Sequence, residues 1–237
     1  MKSLKSLIIT TSNNALDNNA FKTGVWMETL AAPYYILRDA GEYITIVSPK
    51  GGKIPLDQNS KAATAVTKDT ERFEQDHQAM YHFSHTLPLN EVKPEEYDLV
   101  FVAGGYGAMW DFPANKELKL ILEYFIENNK PIALVGHAVA ALLPLKNKDG
   151  IDFIKGKKLT AFSNSEEAHT GLNESPPFLL ESTLSLLGAL YSRGQNFKSY
   201  VVTDGNIITG QNPASAVDTA KQLLALAHKK YKDATVY

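Results

Sequence analysis

The sequence predicts an α/β fold in which a mostly parallel β-sheet is covered by helices on both faces. Three observations predict it. Short apolar runs rich in β-branched residues alternate with longer amphipathic stretches, the rhythm of strand, crossover helix and parallel strand. The chain has 237 residues and 44% hydrophobic content, enough for a substantial core, and shows no Pro/Gly/Ser-rich linker or shift in composition. One domain over 1–237 follows. Finally, two successive strand patterns each run into a Gly-containing turn and then a helix, as βα units do.

The elements follow in order. A strand is expected over 6–11 and a helix over 24–40, where Val25, Leu30, Tyr34 and Leu37 recur at roughly helical spacing. Gly41 stands where a left-handed C-terminal residue belongs. After a strand over 43–48 the pattern loosens into Gly, Pro, Asp, Ser and His over about 50–93, longer than an ordinary connection, which reads as an inserted segment. Strands are expected over 99–102 and 132–135, with helices over 116–128 and 138–145. The remainder reads as a strand over 159–162, a helix over 178–187, strands over 200–203 and 206–209, and a last helix from near Ser215. Asp204-Gly205 between two β-rich runs is a strong hairpin signal.

Charge and cysteine usage narrow the function. The net charge of −2, with both signs interspersed, offers no basic face for nucleic acid and no polybasic tail for a membrane. The apolar run near the N-terminus is too short for a signal h-region or a membrane span, so a cytoplasmic location is expected. With no cysteine, a disulfide framework, a thiolate metal site and a thiol nucleophile are all excluded.

The chemistry is expected between Leu99 and Leu145, where AGGYGAMWDFP follows one strand and Gly136-His137 follows the next. In open α/β sheets ligands bind at the carboxyl edge, and a sharp strand-to-helix turn holds its central residue strained and exposed. Gly104, Gly105 and Gly107 allow close backbone approach, so that the N–H groups of Gly105 and His137 would converge on an oxyanion. This is a scaffold for acyl or carbonyl chemistry. From the glycines alone, turns that merely close the sheet are an equal alternative.

The stretches TGVWMETLAAPYYILRDAG (23–41), SPKGGKIPLDQNS (48–60), AGGYGAMWDFP, GKKLTAFSNSEEAHTGL (156–172), PFLLES (177–182) and ITGQNPASA (208–216) resemble the Hsp31-like branch of the DJ-1/PfpI superfamily, related to class I glutamine amidotransferases. The resemblance spans nearly the whole chain. It implies a three-layer α/β sandwich of flavodoxin-like type, a homodimer, and glyoxalase, deglycase or amidase-type hydrolase activity. It also implies a Cys-His pair at the elbow, an acidic partner further on, and a glutamate of the first helix touching the thiol. His137 matches, Glu28 lies in the first-helix motif, and either Glu166 or Glu167 supplies the acidic partner. The nucleophile position does not match: Gly136 stands there, and Ala138 replaces the customary glycine.

Glycine has no side chain to attack a carbonyl, so the thiol chemistry of the family is expected to be lost. The first expectation is therefore a pseudoenzyme whose pocket still takes a small carbonyl or carboxylate ligand, with no cofactor and no metal. The alternatives are an active enzyme using water activated by His137 or an acidic residue, and a chaperone-like stress protein acting through exposed apolar surface. His77, His82 and His85 in the inserted segment are spaced so that they could meet around a metal, but match no established ligand signature. His169 reads as a surface residue. Tyr106, Trp110 and Phe112 read as core or interface rather than pocket wall.

Overall fold

The computed structural model describes residues 3–16, 22–172 and 175–235. In chain order the elements are β1 (Lys5–Ile9), α1 (Met27–Asp39), β2 (Tyr43–Ser48), α2 (Lys68–Gln75), α3 (His77–Ser84), β3 (Leu87–Pro88), β4 (Leu99–Val102), α4 (Ala108–Asp111), α5 (Lys116–Glu127) and β5 (Ile132–Val135). A 3-10 helix (Gly136–Leu142) follows, then β6 (Lys158–Leu159), α6 (Asn164–Thr170), α7 (Leu180–Leu186), β7 (Leu190–Tyr191), β8 (Val201–Asp204), β9 (Ile207–Gly210) and α8 (Ala216–Thr235). Seven strands form one sheet in the order β3-β2-β1-β4-β5-β9-β8, parallel throughout except for the β8–β9 pair, and β6 and β7 form a small second sheet.

The central strands are apolar on both sides because both faces of the sheet are covered. Leu7 and Ile9 of β1, Val100 and Val102 of β4, and Ile132 and Leu134 of β5 join one core with α5 and the 3-10 helix. The intervening Ile8, Phe101, Ala133 and Val135 join the other with α1 and α8. This is the three-layer α/β sandwich that the sequence predicts.

Several boundaries differ, each for a local reason. The first helix begins at Met27 rather than at residue 24. Val25 instead forms a β-bridge beside Leu56, its N–H donating to the Pro55 carbonyl at 2.9 Å and the Asp57 N–H donating to the Val25 carbonyl at 3.0 Å. The expected helix over 138–145 is a 3-10 helix over 136–142, every residue of which is buried, so packing rather than helix propensity decides its winding. The strand expected over 159–162 stops after Leu159, because the Thr160 N–H turns to the Thr209 hydroxyl at 3.0 Å. The hairpin is present one residue later than expected. Asp204 pairs with Ile207, and Gly205 takes φ 60° in the two-residue loop.

The segment between β2 and β4 is tied into the core. Phe73 of α2 is fully buried and meets Tyr34 of α1 edge-to-face at 5.5 Å, and Ala79 and Phe83 of α3 are buried beside it. The Asp76 carboxylate accepts from the Gln78 and Ala79 N–H groups at the start of α3 and pairs with Arg38 of α1. If this segment folds with the sheet as one unit, Phe73→Ala should cost about 3–5 kcal/mol. Urea unfolding followed by far-UV and near-UV signals should show one coincident transition at a lowered midpoint; an early transition of the segment alone would contradict that.

Candidate functional site

Chain order reverses between β1 and β4, since β2 and β3 lie to one side and β5 to the other, which places the crevice of an open sheet beyond their carboxyl ends. Three backbone segments meet there. The Trp26 N–H donates to the Gly104 carbonyl at 2.9 Å, and the Thr29 hydroxyl donates to the same oxygen at 2.7 Å. A Cβ on Gly104 would lie 2.2 Å from the Val135 carbonyl, and one on Gly105 would lie 2.2 Å from the Gly24 carbonyl. Both positions are therefore restricted to glycine by close approach of backbone, not by the turn alone.

At the end of β5, Gly136 adopts φ 59°, the strained left-handed elbow that the sequence predicts. A Cβ there would meet only the Gln211 carbonyl, at 3.9 Å, so a side chain fits. Among the described residues neither the Gly105 nor the His137 N–H donates to a backbone carbonyl, and both residues line the same cavity. The cavity holds about 90 Å³ and is walled by Trp26, Tyr106, Val135, His137, Phe162 and Phe197.

His137 is 4% exposed and lies between the rings of Tyr106 and Phe162, whose centroids are 4.4 and 4.5 Å away. Its Nε2 meets Glu167 Oε1 at 2.5 Å, and the other oxygen of Glu167 accepts from the Tyr106 hydroxyl at 2.6 Å. Burial and the Glu167 carboxylate push the Tyr106 phenol well above its usual range, so it stays a neutral donor. Tyr106 is thus a pocket wall and a partner of the acid, which corrects its assignment to core or interface. Trp110 and Phe112 do pack with the core.

The structure separates the two adjacent glutamates. Glu167 faces His137. Glu166 turns away to the start of α6, accepting from the Ser163 hydroxyl, the Phe197 N–H and the Asn212 amide at 2.7–2.8 Å. Glu28 is buried in the first turn of α1 and accepts from the Thr67 hydroxyl at 2.5 Å. Burial raises its carboxyl to about 7, the Thr67 bond opposing the shift. Glu28 does not line the cavity that holds Gly136 and His137; it lines an adjoining one that shares Trp26, Phe197 and Pro213.

One acidic residue went unnoticed in the sequence. Asp57 is buried, accepts from the Thr23 hydroxyl and the Asn59 N–H at 3.0 Å, and lies within electrostatic range of His137. Burial raises its carboxyl, while His137 acts in the opposite sense. Asp57 sits in the quoted 48–60 stretch, but nothing in its spacing links it to a histidine 80 positions away. The other histidines stand apart. His85 stacks on Tyr81 at 4.3 Å, His82 meets Tyr34 edge-to-face, and His169 is exposed. Among the described residues no group of three His, Cys, Asp or Glu is placed to hold a metal, and no helix is long and apolar enough to cross a membrane.

Comparison with known proteins agrees with this architecture. A Schizosaccharomyces pombe protein named "Probable glutathione-independent glyoxalase hsp3103" is 32% identical over 234 residues, covering 85% of this chain and 89% of its own. The solved structure of the Francisella tularensis Rapid Encystment Protein 24 kDa is 39% identical with a TM-score of 0.89, over 93% of this chain and 97% of that one. Glyoxalase III from Candida albicans superposes with a TM-score of 0.85 at 26% identity, over 94% and 96% of the two chains. Residues 26–226 match the DJ-1/PfpI family, and the chain belongs to that family.

Proposed function

We propose that this protein binds a small carbonyl compound, a 2-oxoaldehyde or the corresponding carboxylate, in the cavity at the carboxyl edge, and that it does not perform thiol-dependent turnover. One observation carries the reading: the elbow at Gly136 is built and open, beside a paired His137 and Glu167, yet bears no nucleophile. The Gly105 and His137 N–H groups supply donors for a carbonyl or carboxylate oxygen, and the aromatic walls limit the group held beside Gly136 to a few heavy atoms. The hydroxyls lining the cavity are engaged elsewhere: Thr29 donates to Gly104, and Thr170 donates to the Glu167 carbonyl. Glyoxalase names among the relatives support the ligand class. Glycine also removes the backbone cost of the elbow, on the order of 1–3 kcal/mol for other residues, so the fold is not weakened by the change.

A second reading is favoured by Glu28. A carboxyl near 7 at the side of the site is tuned for proton transfer at neutral pH and supports water-dependent glyoxalase activity without a thiol. The two readings separate in a methylglyoxal consumption assay of the unmodified protein, Gly136→Cys and His137→Ala. The first expects turnover only from Gly136→Cys. The second expects the unmodified protein to turn over and His137→Ala to fail.

Glu28 gives a further expectation. Its folded value, about 7, exceeds the ordinary value of 4.5, so the folded state binds more protons than the unfolded one between these pH values. Its contribution to stability is present at acid pH and is lost as pH rises through 7. Asp111, raised to about 6 by burial, acts in the same direction. Urea midpoints at pH 5 and pH 8 should therefore fall less steeply with pH in Glu28→Gln, which keeps an acceptor for Thr67. Identical pH slopes in the two proteins would show that Glu28 is not perturbed.

A further inference from the structure

The cavity at Gly136 adjoins a larger one of about 640 Å³ across Trp26, Phe197 and Pro213, which wall both. The larger cavity is formed by Glu28, Asn59, Ala62, Thr64 and Thr67 with neighbouring small residues, and among the described residues no Lys, Arg or His lines it. Asn59 and Thr64 are exposed, and among the described residues their side chains make no hydrogen bond. A phosphorylated or carboxylated group would find no cation there. A hydroxylated carbon chain would find amide and hydroxyl partners and aromatic faces.

The divide between the cavities is built with strain. Phe197 adopts φ 57°, a left-handed conformation that bulky residues rarely take, and the residue remains 44% exposed. It is fixed from behind by Glu166, which is fully buried. Glu166 Oε1 accepts from the Phe197 N–H at 2.7 Å and from Asn212 Nδ2 at 2.8 Å, and Asn212 Nδ2 also donates to the Lys198 carbonyl at 2.8 Å. Such strain persists only where the surroundings impose it, and here they impose it on one of the two aromatics that both cavities share.

We propose that the two cavities form one site for a 2-oxoaldehyde carrying an uncharged, hydroxylated tail of about three further carbons. The carbonyl end lies beside Gly136 and His137, and the tail crosses Trp26 and Phe197 towards Asn59 and Thr64. This deepens the carbonyl-binding reading above and rests on it. The site is then a receptor for sugar-derived 2-oxoaldehydes rather than for the three-carbon compound alone, which fills only the smaller cavity.

The test compares freshly mixed methylglyoxal and 3-deoxyglucosone, which share the 2-oxoaldehyde head and differ in the tail, by calorimetric titration. The unmodified protein should bind 3-deoxyglucosone about tenfold more tightly. In Ala62→Phe and Thr64→Phe, which place a ring in the larger cavity from exposed positions, the ratio of the two affinities should fall to within about threefold. Equal affinities in the unmodified protein, or a ratio unchanged in both variants, would overturn the inference and leave the carbonyl-binding reading standing. Failure of both compounds to bind would remove the two together.

Discussion

At the carboxyl edge of the sheet, the chain leaving β4 passes so close to residues 24–26 and to the end of β5 that no side chain fits between them. The Trp26 N–H bond to the Gly104 carbonyl, and the 2.2 Å clashes that a Cβ would make at Gly104 and Gly105, define this junction. The rest of the site depends on it. It sets where α1 begins, and so where Glu28 and Thr29 lie. It brings the Gly105 turn against the His137 turn, whose N–H is 3.6 Å from a Cβ built on Gly104. It also leaves Tyr106, the next residue, against the imidazole. A loosened junction would disperse donors, imidazole and pocket wall together.

Much of this was legible in the sequence, for identifiable reasons. Fully buried parallel strands are continuous apolar runs, and Gly104, Gly105 and Gly136 mark turns that no other residue satisfies without a clash or strain. The pair of glutamates was also more legible than it first appears. Ser163 and Glu166 stand in capping-box spacing, and the structure forms that box, which assigns Glu166 to the helix start and leaves Glu167, about 100° further round α6, for His137.

Other features were not legible, because they depend on contacts distant in sequence. Tyr106 beside two glycines looks like a core aromatic until its hydroxyl is seen to reach Glu167 and Thr170. Asp57 caps a local turn through Asn59, and that local role conceals its nearness to His137. The tight winding of 136–142 and the left-handed Phe197 are imposed by packing and by the buried Glu166, not by local propensity. The tight backbone turns at Gly104, Gly105 and Gly136 are thus written in local pattern, while the placement of Asp57 near His137 and the division of the pocket depend on the fold.

Titration of a thiol placed at Gly136 tests most directly whether the proposed site lacks only a nucleophile. The chain has no cysteine, so in Gly136→Cys the ultraviolet absorbance of thiolate reports a single group. Beside a paired imidazole and the free N–H groups of the turn, the thiol should titrate well below the usual value of about 8.5. A value at or above that figure would mean that burial dominates, and that the surroundings of Gly136 are not those of an activated nucleophile.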